Sequence, residues 1–307
     1  MRVLVLGGTG FIGRQVAAAL KARGHAVLIG SRSPERARRR LPPALRDCEL
    51  REAHLERLTC RGAWHALLAG CDTVINAVGI LRERGAETYD KVHHRAPTAL
   101  AAACAFGGRR LVHISALGLR EHARSAFLTS KLAGERAIAA SGARYSIVRP
   151  SLLDGEGGFG ARWLRSLARW PVHFVPAEAR GRIAVMAVTD LGEAIAALCE
   201  REASAEWCEV ELGGTAAPTM AEYLRARRGR PALRVSVPRW LARLASHLCD
   251  LAHFSPFSFG HLELLRRDNV PCPNALPRLL GREPLAVVAR GGEVFDLPAV
   301  ALRRPAL

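Results

Sequence analysis

Three glycines at a fixed spacing constrain the fold of this chain more than any other feature of its sequence. Gly7, Gly10 and Gly13 lie between the apolar run 2–7 and a segment with helical periodicity that begins at Phe11. The first glycine permits a tight turn, the second lets the backbone approach a bound group, and the third lets a helix pack closely on a strand. Free N–H groups at a helix start bind phosphate. The pattern therefore predicts a dinucleotide-binding βαβ unit.

Short β-branched runs alternate with helical segments through the first half of the chain. This alternation predicts an α/β fold, a doubly wound parallel-sheet Rossmann fold with a smaller C-terminal cap. The predicted strands are Arg2–Gly7, His25–Ser31, Glu49–Glu52, Thr73–Ala77, Leu111–Ser115 and Tyr145–Arg149. The predicted helices are Phe11–Arg23, Pro34–Arg40, Ala63–Ala69, Thr88–Ala105 and Phe127–Ala140.

The regular alternation ends near Pro150. We expect residues 1–155 to form the NAD(P)-binding domain, with a helix at Asp190–Cys199 returning to it, and residues 156–307 to form the cap. A strand-like run follows at Trp207–Leu212. Further on, an apolar stripe at helical spacing is interpreted either as a core contact or as a surface for a membrane or partner. The stripe consists of Trp240, Leu241, Leu244, Leu248 and Leu251.

Composition excludes several classes of protein. About half of the 307 residues are apolar, which is enough for a packed globular core. The net charge of +17 comes from arginines spread along the whole chain without a nucleic-acid-binding motif, so nucleic acid is not the expected partner. The eight cysteines form no CxxC pair and no Cys/His cluster with zinc spacing. The sequence therefore predicts neither a disulfide framework nor a metal site.

The location of the protein is predicted from its apolar segments. The chain passes from Met1-Arg2 directly into an apolar run, which leaves no room for a secretory leader. No apolar window reaches the roughly 18 residues of a membrane-spanning helix. We expect a cytoplasmic protein, and peripheral contact with the inner face of a membrane is the alternative.

The end of the second predicted strand indicates which nicotinamide nucleotide binds. An NAD enzyme usually has an acidic residue there, whereas this chain has Ser31-Arg32-Ser33 followed by Arg36. Arg32 can bind a 2′-phosphate through charge-assisted hydrogen bonds, while a solvated arginine is the alternative interpretation. NADP(H) is therefore favoured over NAD(H).

Five segments together resemble the short-chain dehydrogenase/reductase superfamily, in its extended or atypical branch. They are Gly7-Gly8-Thr9-Gly10-Phe11-Ile12-Gly13, Asn76-Ala77-Val78-Gly79, Ser115-Ala116-Leu117-Gly118, Ser130-Lys131 and Arg149-Pro150-Ser151. With Arg267-Asp268-Asn269-Val270, the pattern is most similar to bacterial relatives of the NAD(P)H-binding accessory subunit of respiratory complex I. The resemblance implies Ser115 and Lys131 as catalytic residues. The residues expected to bind the cofactor are Gly7, Thr9, Gly10, Phe11, Ile12, Gly13, Arg32, Asn76, Ala77, Val78, Gly79, Lys131 and Pro150.

One position departs from the family pattern. In family members with redox activity, a tyrosine four residues before the lysine protonates the carbonyl oxygen, and here that residue is Phe127. A phenyl ring has no proton to give, and loss of a general acid typically costs about 10² to 10⁴ in rate. The remaining candidates for an acid or base are Ser115, Thr129, His93 and Asp154.

Three functions are consistent with these features. The first is an NAD(P)H-binding protein with weak or absent ordinary carbonyl reduction. The second is an active NADP-dependent reductase or epimerase-like enzyme that acts on a small or lipid-like carbonyl substrate through a different acid. The third is a non-enzymatic redox-sensing or membrane-peripheral partner.

Overall fold

A central seven-stranded sheet organises the computed structural model, which describes residues 1–252 and 257–287. Its order is β3-β2-β1-β4-β5-β6-β10, and the neighbours from β3 to β6 pair in parallel. The predicted Rossmann-type α/β fold is confirmed. The strands of this sheet are β1 Arg2–Leu6, β2 Ala26–Ser31, β3 Glu49–Glu52, β4 Thr73–Asn76, β5 Arg110–Ile114, β6 Arg144–Pro150 and β10 Glu209–Leu212.

Helices flank the sheet and connect its strands. The helices predicted at Phe11–Arg23, Pro34–Arg40, Phe127–Ala140 and Asp190–Cys199 are present within one or two residues of their predicted ends, and a further helix begins later than predicted, at Ala96. All five bury small and branched apolar side chains. The helix predicted to return at 190–199 packs against α1, where the backbone of Gln15 approaches Gly192 so closely that a Cβ would lie 2.8 Å from it. These helices are α1 Phe11–Ala22, α2 Pro34–Arg40, α3 Ala96–Phe106, α4 Ala126–Ala139 and α6 Val188–Glu200.

The helix predicted at Ala63–Ala69 is wrong. The structure has a 3₁₀ turn at Arg61–Trp64 followed by further turns. Trp64 is fully buried, and its indole N–H donates to the Leu58 carbonyl at 3.0 Å. The buried Trp64 side chain thus anchors this segment in a path that is not an α-helix.

The helix predicted at Thr88–Ala105 is interrupted. A π-helical turn at Asp90–Arg95 precedes α3, because Pro97 lacks the N–H that would bond the His93 carbonyl in a continuous α-helix. That carbonyl faces α4 at Gly134, where a Cβ atom would lie 2.0 Å from the oxygen. The glycine therefore lets α4 approach the wide turn closely.

The chain divides into two compact units. The first comprises residues 1–149 and 188–210, and the second comprises residues 150–187 and 211–307. Within the second unit, two-stranded parallel sheets join β7 to β9 and β8 to β11. Across the described ranges, no helix is long and apolar enough to cross a membrane. The remaining elements are β7 Leu153–Asp154, α5 Phe159–Ala168, β8 Val172–Pro176, β9 Met186–Ala187, α7 Met220–Arg228, β11 Leu233–Val237, α8 Arg239–Ala252, α9 Phe259–Leu265 and α10 Leu276–Leu280.

Candidate functional site

The glycine turn brings the start of α1 close to the end of β1. Gly7 has a left-handed backbone with φ of +72°, and the Gly10 N–H donates to the Gly7 carbonyl at 2.8 Å. A Cβ atom at Gly13 would lie 2.2 Å from the same carbonyl oxygen, so this position requires glycine. Within the described part of the chain, no side chain caps the start of α1. The N–H groups in the first turn of the helix that begins at Phe11 are therefore available to a phosphate.

A cavity of about 510 Å³ opens at the glycine turn. Its walls come from the carboxyl ends of β1, β2 and β4 and from residues just after β3. The order of connections reverses between β1 and β4, the position at which parallel α/β sheets bind their ligands. The residues that line the cavity are Gly7, Thr9, Gly10, Gly30, Ser31, Arg32, Ser33, Arg36, Ala37, Arg40, Ala53, Leu55, Ala77, Val78, Gly79, Ile80 and Glu87.

Three arginines form one wall of this cavity. Arg32 follows β2, and Arg36 and Arg40 lie one turn apart on α2. Arg32 donates from Nη1 to both carboxylate oxygens of Glu87, at 2.7 and 2.6 Å. The wall is therefore cationic, and one of its arginines is engaged by a carboxylate.

The loop after β4 is shaped by a buried amide. The Asn76 Oδ1 accepts from the Val78 N–H at 3.1 Å, and its Nδ2 donates to His113 Nδ1 at 3.1 Å. Burial lowers the pKa of His113 to about 3, so this ring is neutral and accepts the bond. Asn76 thus does not line the cavity itself, but holds the neighbouring residues 77–79 in the wall.

A chain of hydrogen bonds continues from this loop to α4. The Ile80 N–H donates to His93 Nε2 at 3.1 Å, and His93 Nδ1 lies 3.1 Å from Ser130 Oγ, which donates to the Phe127 carbonyl at 3.1 Å. Since Nε2 accepts, the proton of the neutral imidazole lies on Nδ1. Burial holds the pKa of His93 well below its usual value. Both ring nitrogens are satisfied, so His93 positions the loop and is not a proton donor.

Lys131 is buried on α4 beside the same loop. A Cβ atom at Gly79 would lie 3.7 Å from Lys131 Nζ. Burial lowers the pKa of Lys131 to about 8, and Glu135 offsets only part of that effect. The Glu135 carboxylate is itself bound by the Arg149 guanidinium through contacts of 2.7 to 3.1 Å. The Lys131 ammonium therefore lies next to the cavity wall, and the charge of Glu135 compensates only part of the cost of burying it.

Phe127 is buried in an aromatic cluster at the start of α4. Its ring centroid lies 5.8 Å from that of Tyr89 and 5.5 Å from that of His93, and the Lys131 ammonium is 5.8 Å away. Phe127 and Lys131, which are four residues apart, thus lie on the same face of α4. Tyr89 is a phenol close to this position, but its hydroxyl donates to the Leu81 carbonyl at 2.9 Å.

Ser115 and two other candidate acids differ in what holds them. Ser115 is buried, and its hydroxyl has no hydrogen-bond partner among residues 1–252 and 257–287. The Thr129 hydroxyl is directed back to the Ser125 carbonyl of its own helix at 3.2 Å. Asp154 belongs to the second unit, where it accepts from the Tyr223 hydroxyl at 3.0 Å. Of these three side chains, Ser115 is the one whose polar group has no hydrogen-bond partner among the described residues.

The structure brings part of the predicted cofactor set together. Gly7, Thr9, Gly10, Arg32 and the loop 77–79 line one cavity, whereas Gly13 acts through helix packing. Phe11, Ile12, Asn76 and Lys131 are not in its lining, and Pro150 is buried where the second unit begins.

Sequence reasoning missed the roles of two residues near this site. Glu87 reaches Arg32 from a loop without periodicity, and Tyr89 packs on Phe127 from a different helix. No spacing rule links either residue to its partner.

The glycine turn, the switch-point cavity and its cationic wall define a Rossmann-type nucleotide-binding protein. A sequence model described as NAD(P)H-binding matches residues 7–167, more than half of the chain. The chain belongs to this NAD(P)H-binding family. A dinucleotide fits this site. Gly13 lets α1 approach the glycine turn closely, the first turn of α1 has free N–H groups, and the cavity has a volume of about 510 Å³.

Known proteins resemble the chain in sequence or fold. Ceramide reductase of Caulobacter vibrioides is 32% identical over 199 residues, which cover 64% of this chain and 60% of that protein. A nucleoside-diphosphate-sugar epimerase from Staphylococcus aureus has a TM-score of 0.70 at 17% identity and covers 93% of this chain and 97% of that one. UDP-glucose 4-epimerase of Thermus thermophilus in complex with NAD has a TM-score of 0.58 at 20% identity, and the match covers 87% of this chain and 97% of that one. The two structures show the fold alone.

Proposed function

We propose that this chain binds NADP(H) in its first unit and is an atypical short-chain dehydrogenase/reductase with weak or absent ordinary carbonyl reduction. The observation that carries the cofactor preference is the wall formed by Arg32, Arg36 and Arg40. The 2′-phosphate of NADP(H) is an anion with several acceptor oxygens, and guanidinium groups bind such groups with charge-assisted hydrogen bonds.

Calorimetric titration with oxidised and reduced forms of both nucleotides tests this preference. We expect NADPH to bind at least about tenfold more tightly than NADH, since one hydrogen bond to a charged group contributes about 1.5–3 kcal/mol. Arg36→Ala should weaken NADPH about tenfold and leave NADH unchanged. Arg38→Ala is the matched control, because Arg38 lies on the same helix and donates to the Arg46 carbonyl. Equal affinities would contradict the preference, and absence of heat and of thermal protection with every nucleotide would contradict cofactor binding.

The weakness of carbonyl reduction follows from the surroundings of Lys131. When bound, the nicotinamide supplies a hydride to the carbonyl carbon, and the oxygen then requires a proton. Phe127 has none, His93 is neutral with both nitrogens bonded, and the Tyr89 hydroxyl is bonded to a backbone carbonyl. The residues that support the cofactor loop are therefore present without the usual acid.

An active enzyme is the alternative, and two groups favour it. Ser115 has a buried, uncommitted hydroxyl, and Lys131 has a pKa of about 8, which suits an acid at neutral pH. Because the Caulobacter relative is named a ceramide reductase, we propose a long-chain lipid carbonyl as the substrate class.

Transfer of deuteride from labelled NADPH distinguishes the two functions. The substrate panel contains quinones, ketone derivatives of ceramide and nucleotide sugars. A weakly active protein should gain about 10² or more in rate on Phe127→Tyr, since that change supplies an acid. An active wild type should instead lose rate on Ser115→Ala and show a rate that falls as pH rises through about 8. Turnover by the wild type at the rate of the tyrosine variant would contradict the proposal of weak reduction.

We also propose kinship with the bacterial relatives of the complex I accessory subunit. In support, two of the motifs that carry this resemblance meet in the second unit, where the Ser151 hydroxyl bonds the Asn269 carbonyl at 2.9 Å and its Oδ1 at 2.7 Å. A tagged chain should comigrate with complex I on native gels of solubilised membranes. Migration as free protein at all detergent concentrations would contradict the kinship.

A peripheral membrane role is favoured by an unusual helix. The buried residues of α8 are small, namely Ala242, Ser246 and Cys249. Five large apolar residues of this helix are 41 to 79% exposed: Trp240, Leu241, Leu244, Leu248 and Leu251. Residues 220–252 contain seven arginines against two carboxylates. We propose that this face binds an anionic bilayer, because apolar side chains flanked by arginines suit the boundary between headgroups and acyl chains.

Flotation with lipid vesicles tests this surface. The full chain should float with vesicles that contain phosphatidylglycerol at low salt, and it should not float with phosphatidylcholine alone. Leu248→Ser should weaken flotation, whereas Phe106→Ser, an exposed apolar residue of the first unit, is the matched control. No flotation, or self-association that is abolished by Leu248→Ser, would contradict the proposal.

A further inference from the structure

Glu87 brings a carboxylate to the arginine wall of the cofactor cavity. It lies on the loop that follows β4, where Arg84 and Glu87 exchange two backbone hydrogen bonds of 3.0 Å. The same loop is fixed at its end by the Tyr89 N–H, which donates to the Glu83 carboxylate at 2.6 Å. The Glu87 side chain is 22% exposed, whereas that of its partner Arg32 is 63% exposed. The acidic partner is thus held more firmly than the arginine it binds.

We infer that Glu87 sets the cofactor selectivity of this site by competing with the 2′-phosphate for Arg32. The inference rests on the proposed binding of NADP(H). Arg32 uses one nitrogen, Nη1, for both oxygens of Glu87. A 2′-phosphate needs the same guanidinium, and it is repelled by a carboxylate at that position. NADP(H) must therefore displace Glu87 or bind beside it.

The same carboxylate favours the nucleotide without a 2′-phosphate. A ribose 2′-hydroxyl donates well to a carboxylate, which is the interaction that NAD enzymes usually obtain from an acidic residue after the second strand. This chain has Arg32 at that place, and Glu87 supplies a carboxylate to the same wall from another loop. Glu87 therefore reduces the preference for NADP(H) over NAD(H) that the arginines create.

The arginines on α2 keep the site selective for NADP(H) despite this competition. Arg36 and Arg40 line the cavity, and neither has an ion pair within the described residues. The expected outcome is a site that prefers NADP(H) but discriminates less than its three arginines would without Glu87.

Titration of NADPH and NADH against four variants of the full chain tests the inference. Glu87→Gln keeps the size of the side chain and removes its charge. It should tighten NADPH about fivefold and weaken NADH about twofold, in line with partly exposed charge pairs. In an Arg32→Ala background the effect of Glu87→Gln on NADPH should shrink below about twofold, because the contested arginine is gone. Glu83→Gln is the matched control, since Glu83 lies on the same loop and is not in the cavity lining.

The outcomes separate this inference from the proposed function. If NADPH binds the wild type and Glu87→Gln leaves its affinity unchanged, the competition is overturned while NADP(H) binding stands. If Glu83→Gln tightens NADPH equally, the effect is one of net charge and the inference is again overturned. If the wild type binds no nicotinamide nucleotide, the proposed function itself fails. Thermal unfolding of each variant verifies that the fold is intact.

Discussion

Replacement of Lys131 by methionine should stabilise the protein without cofactor and weaken the binding of the cofactor. Burial lowers the pKa of this ammonium from 10.5 to about 8. At about 1.4 kcal/mol per pKa unit, the charged form costs about 3 kcal/mol at pH 7. Loss of the contact with the Phe127 ring offsets about 0.5–1 kcal/mol of any gain. Methionine has a similar length and no charge, so the variant should be about 2 kcal/mol more stable at pH 7.

The dependence on pH has a defined sign. The unfolded chain keeps the lysine proton up to about pH 10.5, whereas the folded chain releases it near pH 8. Because the unfolded state binds more protons within this window, the stability of the wild type rises as the pH increases through it. The stability difference between variant and wild type should therefore be largest below about pH 8 and should shrink towards pH 10.

Urea unfolding of both proteins over this pH range measures the difference, and other titrating groups cancel in the comparison. Lys91→Met is the control, because Lys91 is partly exposed. It should show no such dependence. The affinity for NADPH should fall about tenfold in Lys131→Met, since the proposed donor to the ribose hydroxyls is lost. A variant less stable than the wild type at pH 7, or a gap that stays constant with pH, would refute the reasoning.

Three further changes follow from contacts in the first unit. Gly13→Ala places a Cβ 2.2 Å from the Gly7 carbonyl oxygen. It should lower the free energy of unfolding by about 2–4 kcal/mol and abolish nucleotide binding. Gly62→Ala, which has open space around the added Cβ, should change neither property. Gly134→Ala meets the His93 carbonyl at 2.0 Å and should lower the melting temperature by several degrees, with loss of the ordered loop seen by hydrogen exchange at Ile80. Ser115→Ala removes a hydroxyl without a described partner, so its unfolding free energy should be unchanged within about 0.5 kcal/mol; a loss of more than 1 kcal/mol would show that the hydroxyl is bonded in solution.

The sequence predicts the sheet and the phosphate end of the site because both depend on local patterns. Glycine spacing reports directly on backbone geometry, and apolar runs report on buried strands. The interruption at 90–95 escaped prediction because Pro97 suits the first turn of a helix, and its consequence is seen only where Gly134 meets the His93 carbonyl. The Arg32–Glu87 pair joins residues 55 apart through a loop without periodicity, and no spacing rule reaches it.

The surroundings of Phe127 indicate which role of this site the structure supports. With phenylalanine at position 127, His93, Ser130 and Lys131 would be dispensable if their purpose were to activate a phenol. Yet His93 and Ser130 still join the Ile80 backbone to α4, so they position a cavity wall irrespective of the residue at 127. The charged form of buried Lys131 costs about 3 kcal/mol, and the proposed contact with the ribose hydroxyls of the cofactor would offset this cost. These contacts therefore suit a nucleotide-binding site in which the ligand offsets the cost of the buried Lys131 charge. The stability gain of Lys131→Met should accordingly disappear in saturating NADPH.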